Sequence, residues 1–207
     1  AIEEALNRPE DFKMPAIRTL IIYPMNALVS DQLARFRKIM GAKEFLNIFI
    51  SYTGAERIPH FGMYTGRTPY PGKSKKQSNI KLAETYRKHY LVDEYATEEE
   101  RDEQLKKING LKSIHKYPAR YGEEEGMRDF IKNLENNIHN PRPYDAEYIT
   151  RFEIQTNTPD ILITNYSMLE YMLMRQMEAG IWNDTKKWLN KSEENRLLIV
   201  LDEAHMY

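Results

Sequence analysis

Two adjacent carboxylates close an apolar run near the end of this 207-residue chain: Leu197-Leu198-Ile199-Val200-Leu201-Asp202-Glu203-Ala204-His205. Five β-prone residues leading straight into an acidic pair predict a buried parallel strand that delivers both acids at its C-terminal end. In open α/β sheets, ligands bind in the crevice beyond those ends. The two acids suit different tasks. Asp202 can hold Mg²⁺, a hard cation that takes oxygen ligands and keeps several waters. Glu203 can orient and deprotonate a water attacking a γ-phosphate. His205 is spaced to sense whatever packs above.

Elements that could position such a site recur upstream. Arg18-Thr19-Leu20-Ile21-Ile22-Tyr23 reads as a buried strand, ended by Pro24. Asn26-Ala27-Leu28 then opens a helix with Leu28, Leu33, Phe36 and Ile39 on one face, stopped near Gly41. Strand, turn, helix is the βα unit of a parallel sheet. Phe45 to Tyr52 reads as a further strand. Phe61-Gly62-Met63-Tyr64-Thr65-Gly66-Arg67-Thr68-Pro69 holds a turn whose Gly66 admits close approach to the backbone, with Arg67 beside it for a charge-assisted contact. Asp145 to Gln155 reads as helical, with Arg151 a candidate phosphate partner. Asp160-Ile161-Leu162-Ile163 is a short buried strand running into Thr164-Asn165, and a helix follows through Met174. Trp182 and Trp188 should pack the next helix onto the sheet, and Met168 and Met172 belong to the core.

Leu201-Asp202-Glu203-Ala204-His205 resembles the Walker B (DEAH) box of superfamily 2 helicases. The stretch from Tyr23 to Gln32 resembles helicase motif Ia, with Met25 where a Thr is common. Tyr64-x-Gly66-x-Thr68-Pro69 is similar to a segment of RecQ-like and DNA-repair helicases. Pro159 to Asn165, with Met168-Leu169, is similar to the motif Ib/Ic region. The resemblance implies an α/β fold: a RecA-like parallel sheet flanked by helices, a partial first domain (its Walker A strand absent) of a two-domain motor using ATP and Mg²⁺. It implies that Asp202 and Glu203 meet the nucleotide and its metal, and that Glu203 and His205 are catalytic. Pro24, Asn26, Gly66, Arg67, Thr164, Asn165 and Arg151 would hold a nucleic-acid backbone, DNA by likeness to DNA-repair and phage-defence helicases. It also implies a cytoplasmic setting and partner subunits of a repair or defence complex. The readings within this class are a strand-separating helicase, a duplex pump of a restriction or defence complex, and a non-catalytic nucleic-acid clamp.

Between these blocks, residues 71–148 are polar and charged. They read as a helical insertion dividing the RecA-like part into 1–70 and 149–207. Lys73, Lys75 and Lys76 form a basic loop. Helices are expected from Ile80 to about Tyr95, from the Thr97-x-x-Glu100 capping box to Gly110, and from Glu123 to Ile138 with Phe130, Ile131, Leu134 and Ile138 apolar. A connection this long needs structure or function of its own. Its basic stretch could touch phosphates as a flap.

Composition sets bounds. Hydrophobic residues make up 41% and charged residues 29%, with mean hydropathy −0.70, so long polar stretches accompany a real core. A net charge of −1 gives no global basic signature, so any nucleic-acid surface must be local. The absence of cysteine excludes disulfides and thiolate zinc sites. His60, His89, His115 and His139 show no ligand spacing. No run is long enough for a membrane helix, and no signal-peptide pattern opens the chain. No Gly-x-x-x-x-Gly-Lys-Ser/Thr phosphate loop occurs. That loop is expected upstream in a longer protein, and the chain alone is expected to be inactive.

Overall fold

A computed structural model describes residues 1–24, 26–69 and 76–203, with no side-chain detail for 26–28 and Ser30. The elements run α1 (Ile2–Asn7), α2 (Pro9–Lys13), β1 (Thr19–Tyr23), α3 (Asn26–Met40), α4 (Lys43–Thr53) and β2 (Phe61–Tyr64). There follow α5 (Lys76–Tyr90), α6 (Glu98–Ser113), α7 (Glu124–Glu135), β3 (Glu147–Tyr148), α8 (Arg151–Thr156) and β4 (Ile161–Asn165). The chain closes with α9 (Tyr166–Met174), a 3-10 turn (Gln176–Glu178), α10 (Ala179–Leu189) and β5 (Leu198–Leu201). The expected basic loop at Lys73 and Lys75 lies outside the described residues.

The described strands form one sheet in the order β3-β2-β4-β1-β5, parallel throughout. Helices cover both faces, as a parallel sheet requires. This is the α/β, RecA-like architecture expected. Ile21, Tyr23, Phe61 and Ile163 face α3 and α4, where Val29, Leu33 and Phe49 are buried. Leu20, Ile22, Tyr64 and Leu162 face the other way and pack with Ile154, Met172 and Ile181 of α8, α9 and α10. Met127, Phe130, Ile131 and Leu134 of α7 form a third cluster with Ala83 of α5 and Ile108 of α6.

Several local expectations are corrected. Phe45 to Tyr52 is helix α4. Its composition is β-prone, but Phe45, Leu46, Phe49 and Ile50 recur at helical spacing against the core while Ile48 and Tyr52 face solvent. Gly54, at φ +64°, closes α4 with its amide on the Ile50 carbonyl at 2.8 Å. Residues 145–155 are not one helix. Glu147 and Tyr148 pair with Phe61 and Gly62, and α8 starts only at the Thr150–Glu153 capping box. Helix α5 ends at Tyr90. Helix α6 runs past Gly110 to Ser113, and α7 stops at Glu135, leaving Ile138 exposed.

Strand β5 forms as expected and pairs with β1, but it is not buried. Leu198, Ile199, Val200 and Leu201 are 58%, 54%, 38% and 51% exposed. As the edge strand it has β1 on one side only, and no described helix covers its faces.

The N-terminal edge of the sheet is locked by buried charge. The Asp160 carboxylate, just before β4, receives Arg18 Nη1 at 2.8 Å, Arg57 Nη1 at 2.7 Å and the His60 amide at 2.7 Å. Arg18 also grips Glu4, at 2.6 and 2.8 Å, and Glu4 accepts the Trp188 indole at 2.7 Å. Trp182 donates to the Met172 carbonyl at 3.1 Å, so both tryptophans pack α10 as expected. Burial opposes the Asp160 charge, but Arg57 and Arg18 outweigh it and hold the carboxyl well below its ordinary range. Removing one partner would strand a buried charge, a loss of about 3–5 kcal/mol.

The same edge makes stability depend on pH. His60 is buried against Tyr148, with Nδ1 2.8 Å from the Asp145 carbonyl. Burial, with Arg57 nearby, lowers its pKa from 6.5 to about 4. Between those values the unfolded chain takes up a proton that the folded chain refuses. Stability is therefore full above pH 6.5 and falls as the pH drops towards 4, by up to about 1.4 kcal/mol per unit. The Asp160 contribution has the same sign but is lost only further into acid. Thermal melts from pH 7 to 4 should show the decline. His60→Asn should flatten it without abolishing it, because burial also lowers the His139 pKa.

Candidate nucleotide and nucleic-acid site

Because all strands run in parallel, one edge of the sheet collects every strand end that carries a candidate residue. Pro24 follows β1, the Thr65–Thr68 turn follows β2, Asn165 ends β4, and Asp202 and Glu203 follow β5. The locked edge around Asp160 lies opposite.

Asp202 extends the ladder, its amide donating to the Ile22 carbonyl at 3.0 Å. Its half-buried carboxylate lies close enough to Tyr23 to help raise the phenol, second to burial itself. This places the acid beside the Pro24 turn. Glu203 is exposed and takes φ +48°, the left-handed region that a side chain enters at a cost. No ion pair joins either carboxylate to another described residue. Two carboxylates with no ion pair among the described residues, at a strand end, are an oxygen donor set that fits Mg²⁺, which needs one or two such ligands plus water and phosphate. Among the described residues no cluster of three or more metal-ligating side chains occurs. His205 lies outside the described residues, as does the side chain of Asn26; the helix that Asn26 opens is present as α3.

The turn after β2 is tightly built. The Thr68 amide donates to the Thr65 carbonyl at 3.1 Å, and the Thr65 amide to Thr68 Oγ1 at 2.9 Å. Thr68 Oγ1 donates to the Met63 carbonyl at 2.7 Å, and the Arg67 amide reaches Thr65 Oγ1 at 3.2 Å. Both threonines are buried, whereas Gly66 and Arg67 at the tip are exposed. A Cβ on Gly66 would meet nothing within 4 Å, so open space faces it.

Thr164, Asn165 and Arg151 are placed differently from the surface roles anticipated. Thr164 is fully buried, and its hydroxyl donates to the Tyr64 carbonyl at 2.6 Å, tying β4 to β2. Asn165 caps α9, its Oδ1 accepting the Met168 amide at 2.8 Å. Arg151 is only 3% exposed. It lies under the β2 turn, donating from Nη2 to the Thr65 carbonyl at 2.6 Å. Sequence reasoning missed Tyr23, Thr65 and Thr68. The Thr-x-x-Thr spacing around Gly66-Arg67 was the available signal for a hydroxyl-braced turn.

This chain is similar to a Druantia protein. It is 39% identical over 220 aligned residues to Druantia protein DruE of Escherichia coli strain UMEA 4076-1. The match covers 99% of this chain but only 12% of that protein, so the chain spans about an eighth of the relative's length. No family model matches, and no solved structure matches significantly. No helix among the described residues is long and apolar enough to cross a membrane.

Asn165→Ala should cost about 1 kcal/mol through the lost α9 cap, and Asn165→Asp should retain most of that. Denaturant melts of the purified chain would check the order of the two variants.

Proposed function

We propose that this chain is part of the first RecA-like domain of an ATP-dependent nucleic-acid motor acting in phage defence. The observation that carries the reading is the single sheet edge that carries Asp202 and Glu203 beside the Pro24 turn and, further along past β4, the exposed Gly66–Arg67 tip. Nucleotide chemistry and backbone grip would share that edge. The similarity to Druantia protein DruE supports the defence setting and a role among partner subunits.

In this reading Asp202 helps hold Mg²⁺ through water. When bound, the cation would offset charge on the β- and γ-phosphate oxygens. Glu203 accepts a proton from water as its oxygen attacks the γ-phosphorus and ADP departs. The left-handed backbone at Glu203 supports this role, since strain of that kind gathers at active sites. Gly66, Arg67 and the α3 N-terminus after Pro24 would grip phosphates through backbone amides and charge, reading no sequence. The exposed apolar β5 would be covered by further elements of a longer protein, in keeping with the small share of the relative that the chain spans.

The decisive comparison is ATP hydrolysis by the full-length protein, with and without single- and double-stranded DNA, beside Glu203→Gln. DNA-stimulated turnover that falls at least about 100-fold in the variant is expected. Stimulation by duplex without strand displacement would mark a pump. A well-folded protein that binds DNA but hydrolyses nothing would mark a clamp and sink the motor.

A further inference from the structure

The 65–69 turn is fastened from below by one residue. Arg151 Nη2 donates to the Thr65 carbonyl at 2.6 Å, and the Arg151 backbone amide donates to the Pro69 carbonyl at 3.3 Å. Both ends of the turn therefore rest on the first residue of α8. The guanidinium is in turn fixed against the Tyr64 ring, 4.9 Å from its centroid. Tyr64 is fully buried, and its hydroxyl donates to Glu178 at 2.7 Å and accepts from Gln155 Nε2 at 2.7 Å. Glu178 is itself buried; burial lowers the Arg151 pKa, and Tyr64 and the Glu178 charge offset only part of that. Among the described residues, Arg151 Nε and Glu178 Oε2 have no hydrogen-bond partner. Buried bonds of this kind are strengthened by the low-dielectric interior.

Above it sits the most exposed part of the turn. Gly66 and Arg67 are exposed, and the Gly66 amide bonds to no described residue. A backbone amide followed by an exposed arginine, with open space where a Cβ of Gly66 would stand, suits a phosphate oxygen. Arg151 cannot reach such a phosphate, being 3% exposed and spent on the turn.

We propose that Arg151 is a positioning residue for a backbone-phosphate contact made by Gly66 and Arg67, acting through the turn and never on the nucleic acid itself. The inference rests on the nucleic-acid reading above. It assigns the contact to the tip and the rigidity of that tip to the Arg151–Tyr64–Glu178 network. The planar guanidinium both reaches the Thr65 carbonyl and lies against the Tyr64 ring, and a lysine keeps the charge but loses that shape and reach.

The test is single-stranded DNA binding by the full-length protein over a range of salt, for wild type, Arg67→Ala, Arg151→Lys, Arg151→Met, Glu178→Gln and the Arg67→Ala/Arg151→Met double variant. Arg67→Ala should weaken binding and reduce the salt slope by about 0.7, one phosphate's worth. Arg151→Lys and Arg151→Met should both weaken binding by about tenfold with the slope unchanged, a typical loss where a supporting shell is disturbed. Glu178→Gln should produce a smaller loss of the same kind. In the double variant the losses should fall short of their product, since both act on one contact. Additive losses would show general structural damage. Wild-type affinity in Arg151→Lys with a reduced slope in Arg151→Met would show direct phosphate contact. Either result overturns the proposal. If an Arg151 variant fails to melt cooperatively, Glu178→Gln decides: wild-type affinity there also overturns it. A wild-type protein that binds no DNA would instead remove the nucleic-acid reading itself.

Discussion

A single carboxylate anchors the sheet. Asp160 sits at the foot of β4, between β1 and β2, and binds an arginine from each side as well as a backbone amide before β2. Parallel strands have no hairpin to set their register, so something else must. Here the Asp160 carbonyl accepts the Arg18 and Thr19 amides at 2.8 and 2.9 Å, while its side chain fixes Arg57 and His60. A one-residue slip would break all of these and turn each strand inside out. Arg18 carries the constraint outward to Glu4 and Trp188, so α1 and α10 are registered against the same point.

This division of labour explains the opposite edge. With register set at one end, the strand ends at the other need carry no structural charge pairs. Asp202, Glu203 and Arg67 join no ion pair among the described residues. The helical unit is attached with equal economy. Arg37 of α3 holds Glu147 of β3 through two bonds, at 2.7 and 2.6 Å, and Glu147 also receives the Ala119 amide at 2.9 Å. Arg120 binds Asp145 and Glu153, joining the approach to α7 to the start of α8. Buried ionic joints of this kind are exacting about geometry, which suits elements far apart in sequence.

How legible this was depended on whether a signal was local. The runs at 18–23, 160–163 and 197–201 announced β1, β4 and β5 because parallel strands are continuously apolar. The Thr97-x-x-Glu100 box announced α6. The run from Phe45 to Tyr52 misled because Ile and Phe favour strands by composition, while their spacing favours a helix and spacing prevailed. The capping box at Thr150 was readable but was masked by the aromatic residues before it. The roles of Thr164 and Arg151 could not be read locally. Each depends on a partner in β2 or the turn after it, about a hundred residues away in the case of Thr164 and Tyr64. Polar residues near a motif look available until the fold shows what already holds them.

The strand order also shapes how the chain is made. β1 lies between β4 and β5, both of which leave the ribosome long after it. Its apolar residues and both its ladders wait while α3 to α8 are synthesised. The α5–α7 cluster, built from contacts nearer in sequence, can form meanwhile. The sheet therefore closes late, around an inner strand laid down early, and such non-local pairing is slow. A nascent chain of this design spends its synthesis with an apolar inner strand unpaired, so its yield will depend on the pace of elongation and on chaperones that shield that strand.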